Sequence, residues 1–231
     1  MRARIGLGFG VACLVMLMAA CSSSGHSLGA SAPTTRPASR QAVLTRVLTA
    51  TNRLRSYKFA TTIDYETTDG GGGVTTSGSG VEDVAAKRTE LTLTVSNSSA
   101  RETILFAGTR AFERLTPGPP PIGHDWCWRA PTRNPGADGS PTATLAELAT
   151  SGGSVNMVGS LIVRGVTTVH YAVTGGSSPP VDIWVDGSDQ LRRIHFTRTM
   201  PSARQTTTMD LFDFGASVTI DVPANAPACP S

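Results

Sequence analysis

Between residues 40 and 55 the apolar positions are Val43, Leu44, Val47, Leu48 and Leu54, with Thr51 in the same series. Their spacing places them on one stripe of an amphipathic helix, and Ser39 stands where an N-cap is wanted. From Tyr57 onward the period drops to two. Tyr57, Phe59, Thr61, Ile63 and Tyr65 alternate with Lys58, Ala60, Thr62, Asp64 and Glu66, the signature of a half-buried strand. Residues 69–80 read DGGGGVTTSGSG and predict a hairpin loop. They contain neither GxxxxGK nor GxGxxG, so a flexible turn is expected rather than a phosphate cradle.

Strands are then predicted about every ten residues. Leu91, Leu93 and Val95 alternate with Glu90, Thr92 and Thr94, and residues 103–107 and 111–115 are joined by a Gly-Thr-Arg turn. Residues 117–141 are rich in Pro and Gly, carry Trp126-Cys127-Trp128, and predict an irregular excursion. Thr144 and Glu147 fit a capping box, which predicts a short helix to Ala149, ended by Gly152 and Gly153. Further strands are expected over 155–164, 167–174, 181–186, 191–198, 205–214 and 217–222. This totals about ten strands and two helices, an α+β fold. Its long antiparallel sheet should curl rather than stay flat, with the N-terminal helix and a short second helix covering one face. Such folds often keep a ligand cavity there.

The first twenty residues follow a different rule. Met1 to Arg4 is basic, residues 5–20 are uncharged and apolar, and the run ends Leu-Met-Ala-Ala before Cys21. The apolar run is short for a membrane span and reads as a secretory signal peptide resembling a bacterial lipobox. In that reading residues 1–20 are removed and Cys21 is acylated, anchoring the chain on a membrane. Residues 22–39 (SSSGHSLGASAPTTRPAS) hold too little apolar surface to offset their ordering entropy. With Cys21 they form the lipidated N-terminus and a flexible tether, so the folding domain is expected over 40–231.

Composition narrows the function. The 231 residues carry 20 Lys and Arg against 17 Asp and Glu, a net charge of +3. Charged residues are 16% of the chain, well below the usual quarter or so, and no nucleic-acid footprint is present. Cys127 and Cys229 are an even pair in an exported chain, for which a disulfide is expected. Closing a loop of about one hundred residues would stabilise by roughly 4 kcal/mol in the chain-entropy model. His124 and Cys127 also have an H-x-x-C spacing, but zinc normally takes three or four protein ligands, so no metal or other cofactor is expected. His170 and His195 fall in strands, and Asp182 and Asp186 flank Trp184 on one strand face. The sequence contains no GxSxG or HExxH motif, and an enzyme is not expected.

Five stretches carry a resemblance. They are Leu54-Arg55-Ser56-Tyr57-Lys58-Phe59; Thr103-Ile104-Leu105-Phe106 with Phe112-Glu113-Arg114-Leu115; Gly165-Val166-Thr167-Thr168-Val169-His170-Tyr171; Val181-Asp182-Ile183-Trp184-Val185-Asp186 with Leu191-Arg192-Arg193; and Asp213-Phe214-Gly215 with Val218, Ile220 and Pro223. In this order, behind a lipobox, the chain resembles the actinobacterial LprG/LppX-type lipoproteins, which share the LolA/LolB half-barrel. The resemblance implies a membrane-anchored protein that binds the acyl chains of a lipid or lipoglycan in a hydrophobic cavity. It also implies a possible role in lipid or lipoprotein transfer across the cell envelope. Strand parity nominates Phe59, Ile63, Leu91, Leu93, Val95, Leu105, Val181, Ile183 and Val185 as cavity residues, and a monomer is expected. The alternative is an anchored structural or sensory module with a filled core and no cargo.

Overall fold

The computed structural model describes residues 39–96, 98–116, 126–129, 139–174 and 179–229; Cys21, the tether, His124 and most of the Pro-rich excursion lie outside them. Helix α1 spans Arg40–Asn52, and the Ser39 hydroxyl accepts from the Ala42 N–H as the spacing predicts. Val43, Leu44 and Val47 are buried along its stripe. The chain then enters β1 (Ser56–Thr67) and continues through β2 (Gly73–Asp83), β3 (Arg88–Val95), β4 (Arg101–Ala107), β5 (Arg110–Thr116) and β6 (Cys127–Arg129). Helix α2 (Pro141–Thr150) leads to β7 (Ser154–Val163), β8 (Val166–Thr174), β9 (Val181–Asp186), β10 (Leu191–Thr199) and β11 (Ala203–Phe212).

The eleven strands form one antiparallel sheet in the order β6-β5-β4-β3-β2-β1-β11-β10-β9-β8-β7. Two meanders are therefore joined at the centre, where β1 pairs with β11 from Lys58↔Phe212 to Thr67↔Ala203. The sheet stays open, with β6 and β7 as its edges. Both helices lie on one face, packed with Tyr57, Phe59, Leu91, Ile183, Ile194 and Leu211 in a single apolar cluster. This is the half-barrel expected from the sequence, with one strand more.

Three local expectations are corrected. The Gly-rich stretch is a strand from Gly73 onward, because its glycines serve close approach rather than turning. A Cβ at Gly80 would sit 2.2 Å from Phe59 Cζ and 2.7 Å from the Glu90 carbonyl oxygen, so the Phe59 ring can lie flat across β2 only over a glycine. Helix α2 starts four residues earlier than the Thr144 box implies, with Ser140 as its N-cap. Pro141 occupies the first turn, as its fixed φ favours, and the Ser140 hydroxyl accepts from the Ala143 N–H. The Thr144 hydroxyl instead donates back to the Ser140 carbonyl.

The third correction is at residues 217–222, which are extended but join no ladder. Both sides of β11 are already paired, to β1 and β10, so a following strand has no edge to take. The tail instead crosses to the face opposite the helices. There Ile220 is buried with Leu105 and Phe112, and Arg88 donates to the Ile220 carbonyl at 3.0 Å. The tail reaches β6 at its end. Trp128 donates to the Pro227 carbonyl at 2.7 Å and Cys229 to the Trp128 carbonyl at 2.8 Å. The sulfurs of Cys127 and Cys229 are bonded, with Cα atoms 4.8 Å apart, within normal bridge reach.

Candidate functional site on the helix-covered face

The apolar layer between helices and sheet is built from strand alternation. Odd-numbered residues of β1 and β9 face the helices, so Phe59, Val181, Ile183 and Val185 share the cluster with Leu44 and Val47 of α1 and Leu145 and Leu148 of α2. Of the nine nominated cavity residues, Phe59, Leu91, Val181, Ile183 and Val185 are buried in this layer, and Leu93 packs against it half-buried. The other three depart from it. Ile63 is half-buried on β1 beyond the cluster, and Val95 is exposed at the end of β3. Leu105 is fully buried on the opposite face, under the tail. It pairs with Glu90 while Leu91 pairs with Ile104, so parity places it across the sheet from Leu91. Reading β4 one residue out of phase inverts its face.

A buried polar cluster at the start of α2 has no counterpart among the sequence expectations. The Tyr57 hydroxyl donates to Glu82 Oε2 at 2.5 Å and lies 2.8 Å from Thr142 Oγ1. The Ser140 hydroxyl donates to the same Glu82 oxygen at 3.0 Å. Burial pushes the Glu82 carboxyl up from the ordinary glutamate range, and the hydrogen bonds from Tyr57, Thr142 and Ser140 only partly offset it. Burial, and then the Glu82 charge, push the Tyr57 hydroxyl well above the usual tyrosine value. The N-terminus of α2 is thus held on the sheet by polar contacts. Further along the helix, Leu145 and Leu148 hold it. The signal in the sequence is Glu82, an acidic residue in register with an inward tyrosine; taking residues 69–80 as a loop hides that register.

Between α2 and strands β9 and β10 lies a seam enclosing about 30 Å³, lined by Thr144, Glu147, Leu148, Pro179, Val181, Phe196 and Arg198. A larger open cleft of about 190 Å³, lined by Lys58, Val81, Glu90, Thr92 and Phe212 among others, opens mainly on the other face. The seam is the space that runs along α2 itself.

The remaining chemical candidates face away from the helices. His170 Nε2 lies 2.8 Å from Asp182 Oδ1, and its ring stacks on Trp184 at 4.3 Å. His195 Nδ1 lies 2.9 Å from Thr208 Oγ1. Asp186 shares the Trp184 face, as expected, but its carboxylate accepts from the Ser188 and Gln190 N–H groups and from Arg192. It closes the β9–β10 turn. Trp126 and Trp128 pack beside Leu105, Phe112 and Ile220, with Arg114 and Arg110 over their rings. They cover the disulfide region. Among the described residues, no three His, Cys, Asp or Glu side chains are grouped to hold a metal ion.

No protein-family model matches this chain, and a search of curated proteins returns no match. Solved structures do resemble it. LprF from Mycobacterium bovis is 15% identical, covering 80% of this chain and 97% of its own, with a TM-score of 0.47. A LolA superfamily protein from Nitrosomonas europaea is 10% identical over 80% of this chain and 96% of its own, with a TM-score of 0.38. An uncharacterized conserved protein from Thermus thermophilus is 8% identical over 82% and 97%, with a TM-score of 0.46. These likenesses concern the path of the chain. The functional reading rests on the residues of this protein.

Proposed function

We propose that the protein is a lipoprotein anchored through acylated Cys21 on the outer face of the plasma membrane. Its half-barrel takes acyl chains of a lipid or lipoglycan under α2. The observation that carries this reading is the way α2 is mounted. A ten-residue helix covers apolar Val181 and Phe196, with Leu145 and Leu148 its only buried leucines beside Pro141 and Thr144, and a seam already runs along it. Ligand pockets need about 300–1,000 Å³, so the seam is the closed state and α2 moves off the sheet to admit a chain. Apolar burial, at about 25 cal/mol per Å², drives entry, and residues 22–39 let the anchored domain reach the bilayer. Transfer of the bound lipid or lipoprotein between membrane and wall is the corresponding role.

One observation favours the second reading, an anchored structural or sensory module. Phe59, Leu44, Leu145, Ile183 and Leu211 are all essentially inaccessible, as in a filled core. Native mass spectrometry of protein exported by an actinobacterial host separates the two. Retained lipid, lost in a variant with α2 cross-linked to β9, supports the first. Reproducibly lipid-free protein supports the second. The anchor is tested separately: Cys21→Ser should release the protein to the medium or leave it uncleaved, and unchanged membrane retention with normal cleavage rejects the lipobox.

A further inference from the structure

The two edges of the sheet are finished differently. At one edge β6 is three residues long and is bridged by the tail and a disulfide. At the other, β7 runs ten residues, SVNMVGSLIV, with no charge and no proline. Met157, Val158, Leu161 and Ile162 are 72%, 58%, 47% and 67% exposed. Edge strands are ordinarily shortened, charged or covered, because their free N–H and C=O groups pair with other chains.

We propose that β7 is covered by β7 of a second copy of this chain, antiparallel about a twofold axis, so that two sheets become one. The register follows from a bulge. Met157 pairs with Tyr171 and Gly159 with His170, leaving Val158 as an extra residue on β7. Met157 and Ile162 therefore both lie on the helix side of the sheet, as do Tyr171 and Thr167 opposite them. Asn156 and Val163 both lie on the other side. In a regular strand, residues five or seven apart point to opposite faces; the bulge brings each of these pairs to one face.

In a single register, Met157 of one copy faces Ile162 of the second copy, and Val158 faces Leu161 of the second copy. Asn156 then faces Val163 of the second copy, Gly159 joins Val158 in the bulge opposite Leu161, and Ser160 meets Ser160 of the second copy at the axis. All four exposed apolar side chains of each copy are consumed, and no like charges meet. The exposed apolar surface is on the order of 400 Å² per copy, the size of the largest patch on an ordinary monomer. With the strand backbone added, two copies bury roughly 1,000–1,200 Å², the lower limit of a specific interface. The proposal is a twofold dimer where the sequence reading expects a monomer.

The test is thiol cross-linking of the full chain in the host that exports it, using two differently tagged copies. Met157→Cys in one copy and Ile162→Cys in the other should cross-link into a heterodimer. Either variant co-expressed with itself should give about tenfold less, since the bulge leaves its cysteines four ladder steps apart, roughly 13 Å, beyond bridge reach. Adding Leu161→Glu to both copies should abolish the product. The cross-link is read in both the membrane and the medium, so the result does not depend on the anchor. Both substituted positions are exposed, and secretion of the intact disulfide-bonded chain shows that the variants fold. Absence of the heterodimer, equal yields from like and unlike pairs, or cross-linking to a different protein overturns the proposal.

Discussion

The two wings of the sheet begin as similar antiparallel meanders and solve the same problem in different ways. In the wing from β1 to β6, the face away from the helices is apolar at Leu105 and Phe112, and the tail closes over it with Ile220, Val222 and Ala226. In the wing from β7 to β11, the same face is a lattice of polar and ring contacts. Arg193 holds Asp210 through two nitrogens, His170 stacks on Trp184, and Arg164 lies 3.9 Å over Phe212. One wing hides its outer face under more chain. The other makes that face tolerable to water and leaves its last strand open. Covering a face with tail needs a tether to hold the tail, and the Cys127–Cys229 bond supplies it.

The largest effect is expected where the wings meet. Phe59→Ala removes a fully buried ring beneath both helices and should cost about 3–5 kcal/mol, read as a lower midpoint in urea. Because β1 pairs with β2 of its own wing and with β11 of the other, amide exchange should rise in β2 and in β11 together. Acceleration confined to one wing would show that the two unfold as separate units.

Replacing Cys127 and Cys229 together by Ser should cost about 2–4 kcal/mol and act on one wing only. Exchange should accelerate in β4, β5 and β6, where the tail lifts from Leu105 and Phe112, while β8 to β10 keep their protection. Equal acceleration across the sheet would contradict the division of labour between the wings.

Glu82 comes next. Glu82→Ala leaves the Tyr57 and Ser140 hydroxyls buried without their acceptor and should cost about 1–3 kcal/mol, chiefly by loosening α2. The pH dependence has a definite sign. The folded Glu82 carboxyl titrates above its unfolded value, so in the window between the two the folded state binds more protons. Its contribution is fully present below the unfolded value and is lost as pH rises through the raised folded value. Glu82→Gln should flatten that fall in an unfolding series from acid to neutral pH. An unchanged slope would place the titration elsewhere.

The smallest effects belong to the ion pairs. Removing Arg193 from its half-buried, two-point contact with Asp210 should cost about 1 kcal/mol or slightly more. The Asp210 hydrogen bonds and charge also hold the Arg193 guanidinium above its usual value, against a smaller opposing effect of burial. The exposed Arg46–Asp189 pair at 3.3 Å should be worth under about 0.5 kcal/mol. Thermal unfolding of Arg193→Met and Arg46→Met should rank them in that order; a larger loss from Arg46→Met would make the α1 contact with the β9–β10 turn a structural clamp.

Alternation and spacing determined much of this protein before any coordinates. The stripe of Val43, Leu44 and Val47, the period-two run from Tyr57, and the turn at Asp186 and Gly187 each depend on neighbours within a few residues, and local chemistry reads such elements directly. Tertiary structure decided the rest, for reasons no local pattern carries. Gly78 and Gly80 form a strand because Phe59 and Leu93 lie across them. Residues 217–222 form none because β11 has no free edge. Leu105 faces the tail because register is set by the partner strand, and one residue of slip changes its side. Glu82 is buried beside Tyr57 because a helix sixty residues further on is capped there. Burial, register and edge availability belong to pairs of distant segments, and only the folded chain brings those pairs together.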